Sequence, residues 1–142
     1  MIPAIPTGGV VRGIGCDLIE ITRMEEVIRR QGDAFLERVF TEEERRYCSQ
    51  QAHPPLHFAA RWAAKEAVAK CFATGIGAEL GWKSVAVRHG DRAEPLVVLD
   101  PQGEDLLRHC RATSILLSLS HTDSLALAVA VLLDGSGTRA PF

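Results

Sequence analysis

The sequence predicts an α+β fold, and three observations carry that prediction. Strand-like and helix-like segments are mixed without a regular βαβ rhythm. Two short apolar runs, Ile115–Ser120 and Leu125–Leu133, stand side by side near the C-terminus with a polar turn between them, the pattern of paired strands in a sheet. Residues 56–72 form a long Ala-rich segment of helical character. With 142 residues and a formal charge of −2, the chain reads as one domain large enough for a real core.

The elements follow in order. Val10–Cys16 is an apolar run punctuated by glycines, which fits a strand whose backbone is closely approached. Thr22 with Glu25 has the form of a capping box, opening a helix through Met24, Val27 and Ile28 that stops near Gly32. Thr41 with Glu44 repeats that form and starts a second helix, which ends before Pro54-Pro55. The third helix covers Leu56–Phe72 and closes at Thr74-Gly75-Ile76-Gly77. Trp82–His89 and Leu96–Leu99 read as strands around a His89-Gly90-Asp91 turn. Pro101 opens a helix to about Arg111. The two apolar runs then make strands joined at His121-Thr122-Asp123-Ser124, and their composition suits the centre of a sheet. Residues 1–9 form a lead, 10–133 the domain, and 134–142 a tail expected to fray.

Composition excludes several classes of function. The near-neutral charge argues against wholesale nucleic-acid binding, although a local basic patch stays open. No run is long enough to cross a membrane, and the first residues lack the basic start of a signal peptide. Cys16, Cys48, Cys71 and Cys110 are scattered, which reads as reduced thiols in a cytoplasmic protein.

Chemistry concentrates in the third helix, where Arg61, Lys65, Glu66 and Lys70 interrupt an alanine background. Glu66 and Lys70 share one helix face, as do Arg61 and Lys65. Charge in a segment suited to burial needs a partner, a metal or a charged ligand. Two intrahelical charge pairs would account for it as well. Asp17 ends the Gly-Ile-Gly-Cys strand, and Glu20 follows three residues later. Asp17 with Glu66 would suffice for magnesium, which leaves positions to water and phosphate; Glu20 could serve through water. A turn-capping Asp17 and a solvated Glu20 are the alternative. Arg23, Arg29 and Arg30 cluster on the first helix, where arginines suit anionic partners, yet acidic neighbours also fit a plain solvated face. His121 in its turn can donate to a phosphate or simply be a polar turn residue.

Four blocks together resemble the holo-acyl-carrier-protein synthase family, the small bacterial type of 4′-phosphopantetheinyl transferase. They are Gly13-Ile14-Gly15-Cys16-Asp17-Leu18-Ile19-Glu20-Ile21 with Arg23; Phe40-Thr41-Glu42-Glu43-Glu44; Phe58-Ala59-Ala60-Arg61-Trp62-Ala63-Ala64-Lys65-Glu66-Ala67 with Lys70; and Leu117-Ser118-Leu119-Ser120-His121-Thr122. They span roughly residues 10–133. The resemblance implies one compact domain, its long Ala-rich helix packed on a mainly antiparallel sheet. It implies transfer of the 4′-phosphopantetheine arm of coenzyme A to a serine of apo acyl carrier protein, releasing adenosine 3′,5′-bisphosphate. Asp17 and Glu66 then correspond to the Mg2+ ligands, and Lys70 to a catalytic pyrophosphate contact. Arg61, Lys65 and His121 correspond to coenzyme A contacts around the nucleotide and its phosphates. Arg23 corresponds to a carrier-protein contact, with Arg30 as a second. The serine's base stays open between Glu66, Asp17 and a water on the metal. A homotrimer with inter-subunit active sites and a place in fatty acid biosynthesis are implied too. The sequence departs from the family at Ala73, usually Gly; at Cys16, usually aliphatic; and at Trp62, often Phe. A coenzyme-A-binding module without turnover and a hydrolase using Cys48 or Cys16 are the competing readings; the first has no need of a magnesium pair, and the second has no supporting motif.

Overall fold

The computed structural model describes residues 9–135. The remainder of the expected lead and tail lies outside them. Strand β1 is Val10–Glu20, longer than the sequence indicates, so Asp17 stands within the strand rather than at its end. It pairs antiparallel with β5, Leu125–Asp134, which also pairs antiparallel with β4, Ser114–His121. The sheet order is β1-β5-β4. Of the two apolar runs, only the last strand is therefore central; β4 is an edge.

Across this sheet lies α3, Pro54–Cys71. Its start is earlier than the sequence reading, because Pro54 and Pro55 fill the first helical turn, where a missing N–H costs nothing. The contact between helix and sheet is made of small residues. Ala59, Ala63, Ala64 and Ala67 of α3 and Ala126, Ala128 and Ala130 of β5 are all fully buried. Gly15 of β1 lies against the helix backbone: a Cβ there would fall 2.9 Å from both Cys71 N and Lys70 Cβ, and deeper still into Ala67 O. The glycine punctuation thus marks a close backbone approach, as expected.

Helix α1, Ile21–Val39, starts directly off β1. Its N-cap is Glu20, with no side-chain cap, so the expected Thr22–Glu25 box is not used; the Ile21 N–H donates instead to Ser124 O at 2.9 Å. Nor does the helix end at Gly32. That residue takes φ 58° and ψ −141° and kinks the helix, which only glycine tolerates readily. Buried Phe35 and Val39 hold the second segment to the core. Helix α2, Glu42–Ser49, has the predicted capping box between Thr41 and Glu44. A 3₁₀ turn at Trp82–Ser84 occupies the start of the expected strand. It leads into β2, Val85–His89, which pairs with β3, Pro95–Leu99, as a separate two-stranded sheet. Asp100 caps α4, Pro101–His109. Mixed helices and antiparallel strands in one compact domain match the α+β expectation.

Candidate active site

Alternation along β1 turns Gly13, Gly15, Asp17 and Ile19 toward the helix layer, while Ile14, Cys16 and Leu18 point away. Four-residue spacing on α3 stacks Trp62, Glu66 and Lys70 in one stripe. The two elements meet along the Gly–Ala seam, and Asp17, Glu66 and Lys70 then line one half-open groove of about 470 Å³. The kinked α1 forms its far wall through Arg23, Met24, Val27, Gln31, Phe35 and Arg38.

Lys70 reaches across the groove. Its Nζ donates to Asp17 Oδ1 at 3.0 Å and to Cys16 O at 2.8 Å. The bond to Asp17 raises the Lys70 pKa. Glu66 has no such cation on it. Burial, and then the charge of Asp17, push its carboxyl above the usual range, opposed by Lys70. Two carboxylates that repel each other at the mouth of a groove make a donor set fitted to a hard cation. No group of three or more metal-ligating His, Cys, Asp or Glu side chains exists among the described residues, but magnesium takes one or two carboxylates and completes its shell with phosphate and water. The pair fits that requirement.

The other expected site residues lie elsewhere. Arg61, 2% exposed, stacks its guanidinium 4.4 Å from the Tyr47 ring centroid. It lines a second cavity of about 190 Å³ with Glu43, Tyr47, Val87, Arg88 and His89. Arg61 Nε and His89 Nδ1 are buried there without hydrogen-bond partners among the described residues. Burial, and next Arg61, lower the pKa values of His57 and His89. His121 is exposed at the end of β4 and lines neither cavity. Arg30 is also outside the groove, bonded to Glu26 at 2.6 Å, whereas Arg23 lines it and has no ion pair among the described residues.

Lys65 lies outside the groove. Expected beside the nucleotide, it is fully buried on Glu44, at 2.9 Å, and on the Trp82 and Val85 carbonyls. Burial lowers its pKa against the opposing pull of Glu44. Its three N–H donors are all taken by the protein. Cys48 is unsuited to the nucleophile role considered for it: burial pushes its thiol up to about 12, and a thiolate is what attacks.

Trp62 and Glu44 went unrecognised as site-building residues. Trp62 floors the groove and stacks on Trp82, with ring centroids 4.1 Å apart, and on Phe35 at 5.8 Å. Its spacing from Glu66 could have placed it on the same stripe. Nothing in the sequence marks Glu44 as more than a capping residue.

Comparison with known proteins shows the family and the fold. A family model described as the 4′-phosphopantetheinyl transferase superfamily matches residues 13–130. A holo-[acyl-carrier-protein] synthase of Chlamydia trachomatis serovar L2 is 45% identical over 84% of this chain and 97% of its own length. The crystal structure of holo-[acyl-carrier-protein] synthase from Neisseria meningitidis superposes with a TM-score of 0.82 at 29% identity, covering 87% of this chain and 98% of that one. The Helicobacter pylori enzyme in complex with coenzyme A gives 0.75 at 29% identity, covering 84% and 98%.

Proposed function

The chain belongs to the 4′-phosphopantetheinyl transferase superfamily, and on that footing we propose that it transfers 4′-phosphopantetheine from coenzyme A to a serine of apo acyl carrier protein. The observation that carries this reading is the convergence of Asp17, Glu66 and Lys70 on one groove from two different elements. In the reaction a bond forms between the serine oxygen and the pantetheine-side phosphorus. The bridging P–O bond breaks, and adenosine 3′,5′-bisphosphate leaves with its electron pair. Asp17 and Glu66 would hold Mg2+. The chemistry such an ion supplies is neutralisation of charge on the pyrophosphate oxygens. Lys70, on a long stem and already at the groove mouth, is placed to transfer its charge from Asp17 to the leaving phosphate. Glu66, its carboxyl raised by burial, or Asp17 would accept the serine proton.

Arg61 and His121 are the proposed contacts on the nucleotide side, and the unpartnered Arg61 Nε beside a small cavity supports the first. The carrier protein, an acidic partner, would dock along α1 on Arg23, with Arg30 as an outlying contact. Residues 10–133 constitute the transferase domain in this reading. Its setting would be the cytoplasm and fatty acid biosynthesis; no helix among the described residues is long and apolar enough to cross a membrane.

The outer face of the β1-β5-β4 sheet supports a homotrimer. Ile14 and Leu18 are 68% and 59% exposed there, beside half-buried Leu127, Val129 and Val131. A contiguous apolar face of this kind marks an association surface. Packing copies through it would bring the sites to subunit boundaries.

The test is direct. The protein is mixed with coenzyme A, Mg2+ and apo carrier protein, and the carrier is weighed by mass spectrometry. A gain of one phosphopantetheine, abolished by chelator, is expected. Coenzyme A binding without any gain on any carrier would favour a binding module instead.

A further inference from the structure

Lys65 and Glu44 form an ion pair enclosed at 0% and 1% side-chain exposure, and the transfer chemistry uses neither directly. Every polar atom of the pair is matched. The Lys65 ammonium donates to Glu44 Oε2 at 2.9 Å, to Trp82 O at 3.0 Å and to Val85 O. Glu44 also accepts Thr41 N–H on Oε2 and Val87 N–H on Oε1, both at 2.9 Å. One pair therefore ties α3 to the start of α2, to the 3₁₀ turn and to β2.

Such a pair is a weak source of net stability, because an apolar pair of the same volume does as well. Its directional bonds supply something alanine cannot. Apart from Arg61, Lys65 and Val68, every buried residue of α3 from Ala59 to Ala69 is alanine. Helices are registered by side-chain ridges seated in grooves, and alanine ridges are shallow. A slip of one residue moves a side chain about 1.5 Å along the helix axis and about 100° around it. Lys65 directly precedes Glu66, so a fixed Lys65 head fixes where Glu66 faces. We propose that Lys65 and Glu44 are positioning residues that lock the rotation and height of α3, holding Glu66 and Lys70 opposite Asp17.

The inference rests on the magnesium-dependent transfer reading, so its test uses a readout beyond activity. Mn2+ binding to wild-type protein is followed by electron paramagnetic resonance, alongside transfer rate and thermal unfolding. The double variant Glu44→Gln/Lys65→Met removes both charges together. It is expected to stay folded while Mn2+ affinity falls about 10- to 100-fold, as when supporting groups around a metal site are lost. The kcat should fall about 100-fold, the cost of misplacing reacting groups by roughly 1 Å. A folded double variant with wild-type Mn2+ affinity and kcat overturns the proposal. Should it fail to fold, Glu44→Asp decides: it keeps both charges but retracts the carboxylate, and wild-type Mn2+ affinity there also overturns the proposal. Wild-type protein that binds Mn2+ but transfers nothing sinks the transfer reading, leaving the anchor judged on Mn2+ affinity. Wild-type protein that binds no Mn2+ overturns the anchor.

Discussion

Lys70 of α3 bridges to Asp17 of β1, its Nζ 3.0 Å from Oδ1, across a seam where the two backbones are nearly in contact. The cation thus comes from the helix and the anion from the strand, and the groove opens where they meet.

Lys70→Met is expected to slow transfer about 10²- to 10³-fold, the range for losing one charge-stabilising donor. Unfolding free energy should change by less than about 1 kcal/mol, since the side chain is half exposed and solvent screens the pair. Steady-state kinetics with parallel urea denaturation would check both; a large stability loss would recast Lys70 as structural.

Arg23→Glu should raise the KM for carrier protein about tenfold at low salt and much less at high salt, as an exposed docking charge does. Coenzyme A affinity, measured by calorimetry, should be unchanged. Arg30→Glu should have the smaller effect, since Arg30 lies off the groove and already pairs with Glu26.

Gly15→Ala should cost about 1–3 kcal/mol through overpacking, because the new methyl meets helix backbone rather than a side chain that can turn aside. Activity should fall further than stability, as α3 is pushed away from Asp17. Urea midpoints and kcat on the same preparation would show it; a fully active, fully stable variant contradicts the close packing.

Cys48 predicts an alkaline limit to stability. Its thiol, ordinarily at 9.0, is pushed up to about 12 in the fold, mainly by burial. Between those values the unfolded chain ionises and the fold does not, so stability is full below pH 9 and falls above it. The slope from this group is at most about 1.4 kcal/mol per pH unit. Comparing urea midpoints of wild type and Cys48→Ala from pH 8 to 11 isolates it: the gap between the two should narrow as pH rises, and a constant gap contradicts the assignment.

Ile14→Glu places a charge on the exposed sheet face opposite Val131. Sedimentation should show the proposed trimer giving way to monomer, and Cys16 on the same face should become faster to alkylate. An unchanged mass would remove that face from the assembly.

The sequence made local features legible where the signal and the structure are both local. Thr41 and Glu44 cap α2 as read, and Gly15 marks a close approach as read. Gly32 misled because a helix stop and a helix kink need the same backbone freedom; what separates them is Phe35 and Val39, buried only once the core exists. The burial of Lys65 is hard to read for a related reason. Helical spacing tells which residues share a face but not which face meets solvent, and its partner Glu44 lies on another helix. The meeting of Asp17 with Glu66 and Lys70 joins residues about fifty positions apart. No periodicity reports that; carboxylate chemistry suited to magnesium offers Asp17 with Glu66 as one reading, and the resemblance across four blocks adds Lys70 to them.

The Gly–Ala seam also sets how the site can respond to its substrates. Two walls that touch through backbone, with no layer of larger side chains between them, have little slack to absorb a change in spacing. The features able to adjust lie outside that seam: the long, half-exposed Lys70 stem, and the backbone of Gly32, which kinks α1 on the opposite wall. The molecule thus sets a closely packed seam, carrying Asp17, Glu66 and Lys70, against a wall kinked at Gly32 that carries Arg23, the proposed docking residue.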